Sequence, residues 1–148
     1  MYSYLVLGAG RQGTAAAYDL ARFDAAARIT LADADLAAAT AAAERVNRLA
    51  GRPAAQAIQL DAADAQAVIA ALAGHHVALS AVPYYLNLPL TQAAIAAGVS
   101  FCDLGGNTEI VRQQHGLDAE ARAAGVTIVA DCGMGPGMGN NLAVYAMS

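Results

Sequence analysis

Near the start of the chain an apolar run, Tyr4-Leu5-Val6-Leu7, leads directly into Gly8-Ala9-Gly10-Arg11-Gln12-Gly13. Glycines at that spacing suit a backbone that turns sharply, approaches an anion and opens a helix close to the strand it has left. Gly8 allows the tight turn, Gly10 leaves room for a diphosphate, and Gly13 lets helix and strand pack closely. Such a helix start offers free N–H groups and the positive end of its dipole. Alone the pattern is weak, because glycine-rich turns are common. Its context strengthens it: Asp33 stands twenty positions after Gly13, at the end of the next expected strand. A carboxylate there accepts hydrogen bonds from the hydroxyls of an adenosine ribose. Asp35 is read as the cap of the following helix. The neighbourhood Ala32-Asp33-Ala34-Asp35 brings no Arg or Lys to a 2′-phosphate, and its carboxylates repel one. These features point to a dinucleotide, NAD in preference to NADP, with Arg11 and Gln12 inside the cofactor turn.

Ligands of open α/β sheets sit beyond the carboxyl ends of the strands. Asp61 follows the third expected strand and either flanks the adenine or joins Asp64 in capping a helix. Ser80-Ala81-Val82-Pro83 ends the fourth and is expected to line the nicotinamide ribose. Tyr84 comes next, and Asp103 ends the fifth strand within Asp103-Leu104-Gly105-Gly106-Asn107. Tyr84 and Asp103 are the candidate catalytic residues; otherwise Tyr84 is a packing aromatic and Asp103 an acceptor that orders a loop. His75 and His76 precede a strand on the opposite edge and read as surface loop, and His115 as a solvated helix residue. Cys102 and Cys132 are too few for a metal site or a disulfide framework and read as buried free thiols.

The elements that must position these groups alternate strictly. Strands are expected near 3–8, 28–32, 56–60, 76–82, 100–103 and 126–130. Helices are expected near 11–23, 35–50, 64–73, 86–98 and 109–124, with a last one from about 138. Continuous apolar strands such as Val126-Thr127-Ile128-Val129 suit a parallel sheet covered on both faces. The expected fold is therefore α/β: a Rossmann doubly wound sheet of about six parallel strands in the order 3-2-1-4-5-6, in three αβα layers. Gly74, Gly98 and Gly125 fall where helix C-termini need them.

Length and composition set the outer bounds. A chain of 148 residues is one domain, and 57% hydrophobic against 14% charged residues rules out a disordered chain. The apolar runs are strand-sized, far below the roughly 20 residues of a membrane span, so no membrane partner is expected. Met1 lies one residue before the first strand with no secretory pattern, which makes the cytoplasm the expected compartment. All eight basic residues are scattered arginines, leaving no nucleic-acid footprint. The lack of lysine excludes a Walker motif and the Tyr–Lys pair of a short-chain dehydrogenase.

Taken with its later motifs, the chain resembles the coenzyme-binding half of the saccharopine dehydrogenase superfamily, particularly its lysine 6-dehydrogenase branch. The resemblance runs from Tyr4 to about Tyr145. It rests on the opening glycine motif, Ser80-Ala81-Val82-Pro83 with Tyr84-Tyr85, Phe101-Cys102-Asp103-Leu104-Gly105-Gly106, and Asp131-Cys132-Gly133-Met134-Gly135-Pro136-Gly137. The last two, in that order and spacing, are the more specific. The resemblance implies NAD(P)-linked hydride transfer at a carbon–nitrogen bond of an amino acid, and for the lysine branch oxidation of the ε-amino group with NAD. It also implies a division into residues 1–137 as the dinucleotide-binding domain and 138–148 as the start of a helix. That helix leads towards a substrate domain, which is missing here, so this chain alone is expected to turn over poorly. The amino-acid substrate would be met through that second domain. Around Met134, Met138, Leu142, Val144 and Tyr145 an exposed apolar patch is expected, which invites a homodimer. The alternative to an enzyme is a nucleotide-sensing Rossmann module in which no hydride moves.

Overall fold

A computed structural model describes residues 2–25 and 27–148; Met1, where the expected domain begins, lies outside them. Six strands form one parallel sheet: β1 (Ser3–Leu7), β2 (Arg28–Asp33), β3 (Ala55–Gln59), β4 (Val77–Ser80), β5 (Ser100–Asp103) and β6 (Ile128–Val129). Their order is β3-β2-β1-β4-β5-β6, so the chain winds outwards from β1 in both directions, as the alternation of elements predicts. Seven helices connect and follow them: α1 (Arg11–Phe23), α2 (Leu36–Ala50), α3 (Ala65–Leu72), α4 (Asn87–Ala97), α5 (Thr108–His115), α6 (Asp118–Ala124) and α7 (Gly139–Met147).

Side-chain alternation along β1 sends Val6 to one face and Leu5 and Leu7 to the other, and all three are buried. Val6 joins Ile29, Leu31, Ala17, Ala21, Ala39, Ala43 and Val46 under α1 and α2. Leu5 and Leu7 join Val68, Leu72, Leu90 and Phe101 under α3 and α4. Alanines on the inner faces of α1 and α2 let both helices lie close to the sheet. Each fully buried Leu or Phe contributes about 1.5–3 kcal/mol, and truncating Leu5 to Ala would cost about 2–5 kcal/mol.

Punctuation by short polar residues is largely as read. Asp35 caps α2 through the Ala37 and Ala38 N–H groups at 2.8 and 3.4 Å, and Asp64 caps α3 through Gln66 and Ala67, both at 3.0 Å. Gly98 and Gly125 close α4 and α6 in the left-handed conformation. Gly51 does the same for α2.

Four expectations change. The single helix over 109–124 is two helices, broken at Gly116-Leu117; a mid-helix glycine weakens propagation by about 1 kcal/mol. The sixth strand shrinks to two residues because the Val126 N–H is taken by Ala121 O at 3.0 Å and pairing begins later. Cys132 is exposed, while Cys102 is half-buried, and both are free. His75 and His76 also do more than line a loop. His75 Nε2 lies 3.0 Å from Thr30 Oγ1, and His76 Nδ1 accepts the Ser3 N–H at 3.1 Å. Among the described residues no helix is long and apolar enough to cross a membrane.

Candidate functional site

The carboxyl ends of β2, β1, β4 and β5 form a continuous rim stitched by backbone hydrogen bonds: Leu60 N–H to Asp33 O at 2.9 Å, Gly8 N–H to Ala32 O at 2.8 Å, Ala81 N–H to Leu7 O at 2.8 Å and Leu104 N–H to Ser80 O at 3.3 Å. The order reverses between β1 and β4, so a crevice opens there, where open α/β sheets take their ligands.

On this rim the glycine motif has the shape its spacing predicts. Gly8 has φ +96°, and a Cβ there would sit 2.8 Å from the Ala81 carbonyl oxygen. A Cβ on Gly13 would run into the carbonyl oxygen of Gly8, so α1 packs against the turn with no room for a methyl group. Gly10, at the helix start, has nothing within 4 Å of its would-be Cβ. Side chains cap α2, α3 and α5, whereas α1 starts at Gly10 with no side-chain cap. Its first N–H groups therefore remain free for an acceptor from outside. That open, uncapped start fits a diphosphate, with Gly10, Arg11 and Gln12 exposed around it.

Asp33, half-buried at the end of β2, faces the same turn. Its Oδ2 accepts the Ala9 N–H at 2.8 Å, and its Oδ1 accepts the Asp35 N–H at 3.0 Å. The carboxylate thus ties the end of β2 to the glycine turn and still keeps lone pairs for ribose hydroxyls. Arg11 opens a groove of about 750 Å³ between α1 and α2, which Arg45 and Arg48 also line. Only the packing of α1 on α2 puts Arg11 into one groove with Arg45 and Arg48, which lie in the second half of α2, down the helix from its start beside Asp33.

Asp61, beyond β3, is exposed and accepts the Ala63 N–H at 2.9 Å; Asp64 is the cap of α3. At β4 the Ser80 side chain is buried and donates to Asn87 Oδ1 at 2.7 Å. Ser80 can therefore line the crevice only through its backbone, with Ala81, Val82 and Pro83 beside it. Tyr84 is exposed, meets Tyr85 edge-on at 5.9 Å between ring centroids, and backs onto Gly106, where a Cβ would lie 3.0 Å from its own.

Asp103 differs from a surface carboxylate. It is 0% exposed, and Oδ1 accepts the Gly105 N–H at 2.7 Å and the Asp131 N–H at 3.1 Å. Oδ2 accepts from Gln114 Nε2 at 2.7 Å. Of its two sequence readings, this geometry favours the loop-ordering acceptor over the catalytic group. Asp131 was singled out only within its motif. It holds a left-handed φ of 65°, and its carboxylate occupies the space that a Cβ on Gly105 would take. Burial, then Cys132 and Asp103, push the Cys102 thiol from its ordinary 9.0 to about 11. The Cys132 thiol is raised by burial, then by Asp103 and Asp131. Neither is a ready thiolate.

Sequence reasoning missed Asn87, Thr91 and Gln114, which join Ser80 and Asp103 beneath the rim. Their spacing carries no motif; Gln114 is buried while its neighbour Gln113 is exposed.

Solved structures share this fold. The apo form of the L-Glu-forming saccharopine dehydrogenase of Saccharomyces cerevisiae matches with a TM-score of 0.78 and 25% identity, over 99% of this chain and 31% of that one. An NAD-binding oxidoreductase of Klebsiella pneumoniae matches at 0.56 and 26% identity, over 87% and 34%. The quinate dehydrogenase of Corynebacterium glutamicum, solved with NAD, shares the fold at 0.62 and 22% identity, over 86% and 43%. The chain therefore spans less than half the length of each of these proteins. The family model described as the saccharopine dehydrogenase NADP binding domain matches residues 4–129. With that match over most of its length, and with the glycine turn, rim and crevice of a nicotinamide dinucleotide-binding domain, the chain belongs to the saccharopine dehydrogenase NADP-binding domain family.

Proposed function

We propose that this chain is the cofactor-binding part of an oxidoreductase that acts at a carbon–nitrogen bond of an amino acid, and that it prefers NAD. The observation that carries the preference is the Asp33 carboxylate, held 2.8 Å from the Ala9 N–H beside the uncapped start of α1. In that position it accepts from ribose hydroxyls and opposes a 2′-phosphate. The nicotinamide supplies a hydride donor or acceptor; the chain's own residues bind, orient and shield. Free N–H groups at the start of α1 meet the diphosphate, and Ala81, Val82 and Pro83 bound the crevice. Tyr84 is an exposed group with a proton to give or take on that side, backed by Gly106 of the loop after β5, so it is retained as the candidate acid–base residue.

A second reading, NADP in place of NAD, is favoured by Arg11, exposed at the start of α1 beside the glycine turn, because a guanidinium group binds phosphate well. Calorimetric titration with NAD and NADP side by side separates the two. Tighter NAD binding supports Asp33 as the deciding group, and tighter NADP binding gives that role to Arg11. Oxidation of a lysine ε-amino group is the specific reaction implied by the lysine 6-dehydrogenase resemblance, with the amino acid held by a second domain. The 148-residue chain alone is then expected to bind cofactor without turning over amino acids. Full dehydrogenase turnover by this chain would overturn that division of labour.

A further inference from the structure

Beneath the rim on the β4–β5–β6 side lies a continuous polar network inside an otherwise apolar layer. Ser80, Asn87, Thr91, Asp103 and Gln114 are all at least 97% buried, with Asp103 at 0% and Gln114 at 3% exposure. The network has a fixed direction. The Ser80 hydroxyl donates to Asn87 Oδ1 at 2.7 Å, and the Thr91 hydroxyl donates to the Asn87 carbonyl at 2.8 Å. With its proton committed, Thr91 Oγ1 accepts, and Gln114 Nε2 donates to it at 2.8 Å and to Asp103 Oδ2 at 2.7 Å. Gln114 Oε1 has no protein partner, so the carboxamide serves here as a donor only. At the far end Asp103 Oδ1 holds the N–H groups of Gly105 and Asp131.

We infer that Gln114 is a positioning residue for the nicotinamide half of the crevice, acting through Asp103 on the loops over 104–107 and 130–133. Asp103 has one oxygen on the loops and the other on Gln114. Take away the Gln114 donor and Oδ2 is a buried carboxylate oxygen with no partner, so the carboxylate turns or draws in water and Oδ1 leaves the loops. Those loops need the restraint. Asp131 holds a left-handed φ that strains a non-glycine residue, and Gly106 supports Tyr84 from behind. Gln114 is remote from Asp33 and the glycine turn, where the adenosine half belongs. Its influence therefore falls on one half of the cofactor only.

The inference rests on the proposed dinucleotide reading, and the test keeps the two apart. NAD and ADP are titrated into the wild-type chain, Gln114→Met and Gln114→Glu. ADP reports the adenosine half alone. Gln114→Met fills similar volume without a donor and should weaken NAD binding about tenfold while ADP affinity stays within about twofold. Gln114→Glu regains a donor when its carboxyl shares a proton with Asp103. Measured against wild type at the same pH, because the terminal phosphate of ADP itself titrates at about pH 6, it should restore the ratio of NAD to ADP affinity at low pH and lose it at high pH. A purely structural role would move both ligands together or neither, and either result in Gln114→Met overturns the inference. Should that variant not fold, a Gln114→Glu ratio that follows the wild-type ratio at every pH overturns it equally. Failure of the wild-type chain to bind NAD and ADP would refute the dinucleotide reading itself.

Discussion

Replacing Asp33 with Asn should swing cofactor preference from NAD towards NADP. Asp33 Oδ2 holds the Ala9 N–H at 2.8 Å and Oδ1 the Asp35 N–H at 3.0 Å. Asparagine keeps one carbonyl oxygen, enough for Ala9, while the exposed Asp35 N–H turns to water. The turn survives at a cost of about 1 kcal/mol, the difference between a charged and a neutral acceptor. What changes is the charge. A ribose 2′-phosphate carries about −1.5 to −2 at neutral pH. At a separation of about 5 Å, its repulsion by a carboxylate is about 1.5 kcal/mol even at the dielectric of water, and more where water is excluded. Lifting that repulsion favours NADP by about tenfold, and weaker bonds to the ribose hydroxyls penalise NAD as well. The ratio of the two dissociation constants should therefore move by about tenfold or more. Calorimetric titration at fixed, low ionic strength is the assay, because salt screens the effect. A ratio unchanged within about twofold would refute the reasoning and remove Asp33 from the selectivity argument. Thermal unfolding of Asp33→Ala, run alongside, isolates the turn: loss of the Ala9 partner should cost about 1–3 kcal/mol.

Gly13→Ala should abolish tight NAD binding and lower the melting temperature, because its Cβ meets the Gly8 carbonyl oxygen; overpacking of this kind costs about 1–3 kcal/mol, and wild-type values in both assays would contradict the packing described. Asp35→Ala should cost about 1 kcal/mol of stability through loss of the α2 cap, while the NAD-to-NADP ratio stays within about twofold. Cys102 gives a pH dependence. Its thiol moves from 9.0 unfolded to about 11 folded, so the folded state binds more protons between those values. Stability from this group is complete below about pH 9 and declines towards pH 11, by at most about 2–3 kcal/mol. Cys102→Ala should flatten that decline in urea unfolding measured across the range, and an identical slope in the variant would rule the thiol out as its source.

Much of the scaffold was legible because each of its signals is local. Strand and helix periods, the glycine spacing and the Asp35 and Asp64 caps act over a few residues, and the order of the six strands follows once strict alternation forces right-handed crossovers. Asp33 at the end of β2 was equally readable, because a fixed crossover length carries it to the rim. Tertiary packing decided what spacing does not encode. It turned Ser80 inwards onto Asn87 and enclosed Asp103 so completely that its carboxylate orders loops. It buried Gln114 beside an exposed Gln113, and it put Arg11 into one groove with Arg45 and Arg48 of α2. A turn or cap is fixed by neighbours along the chain. The surroundings of a polar side chain are fixed by elements tens of residues away, which leave no period in the sequence around it.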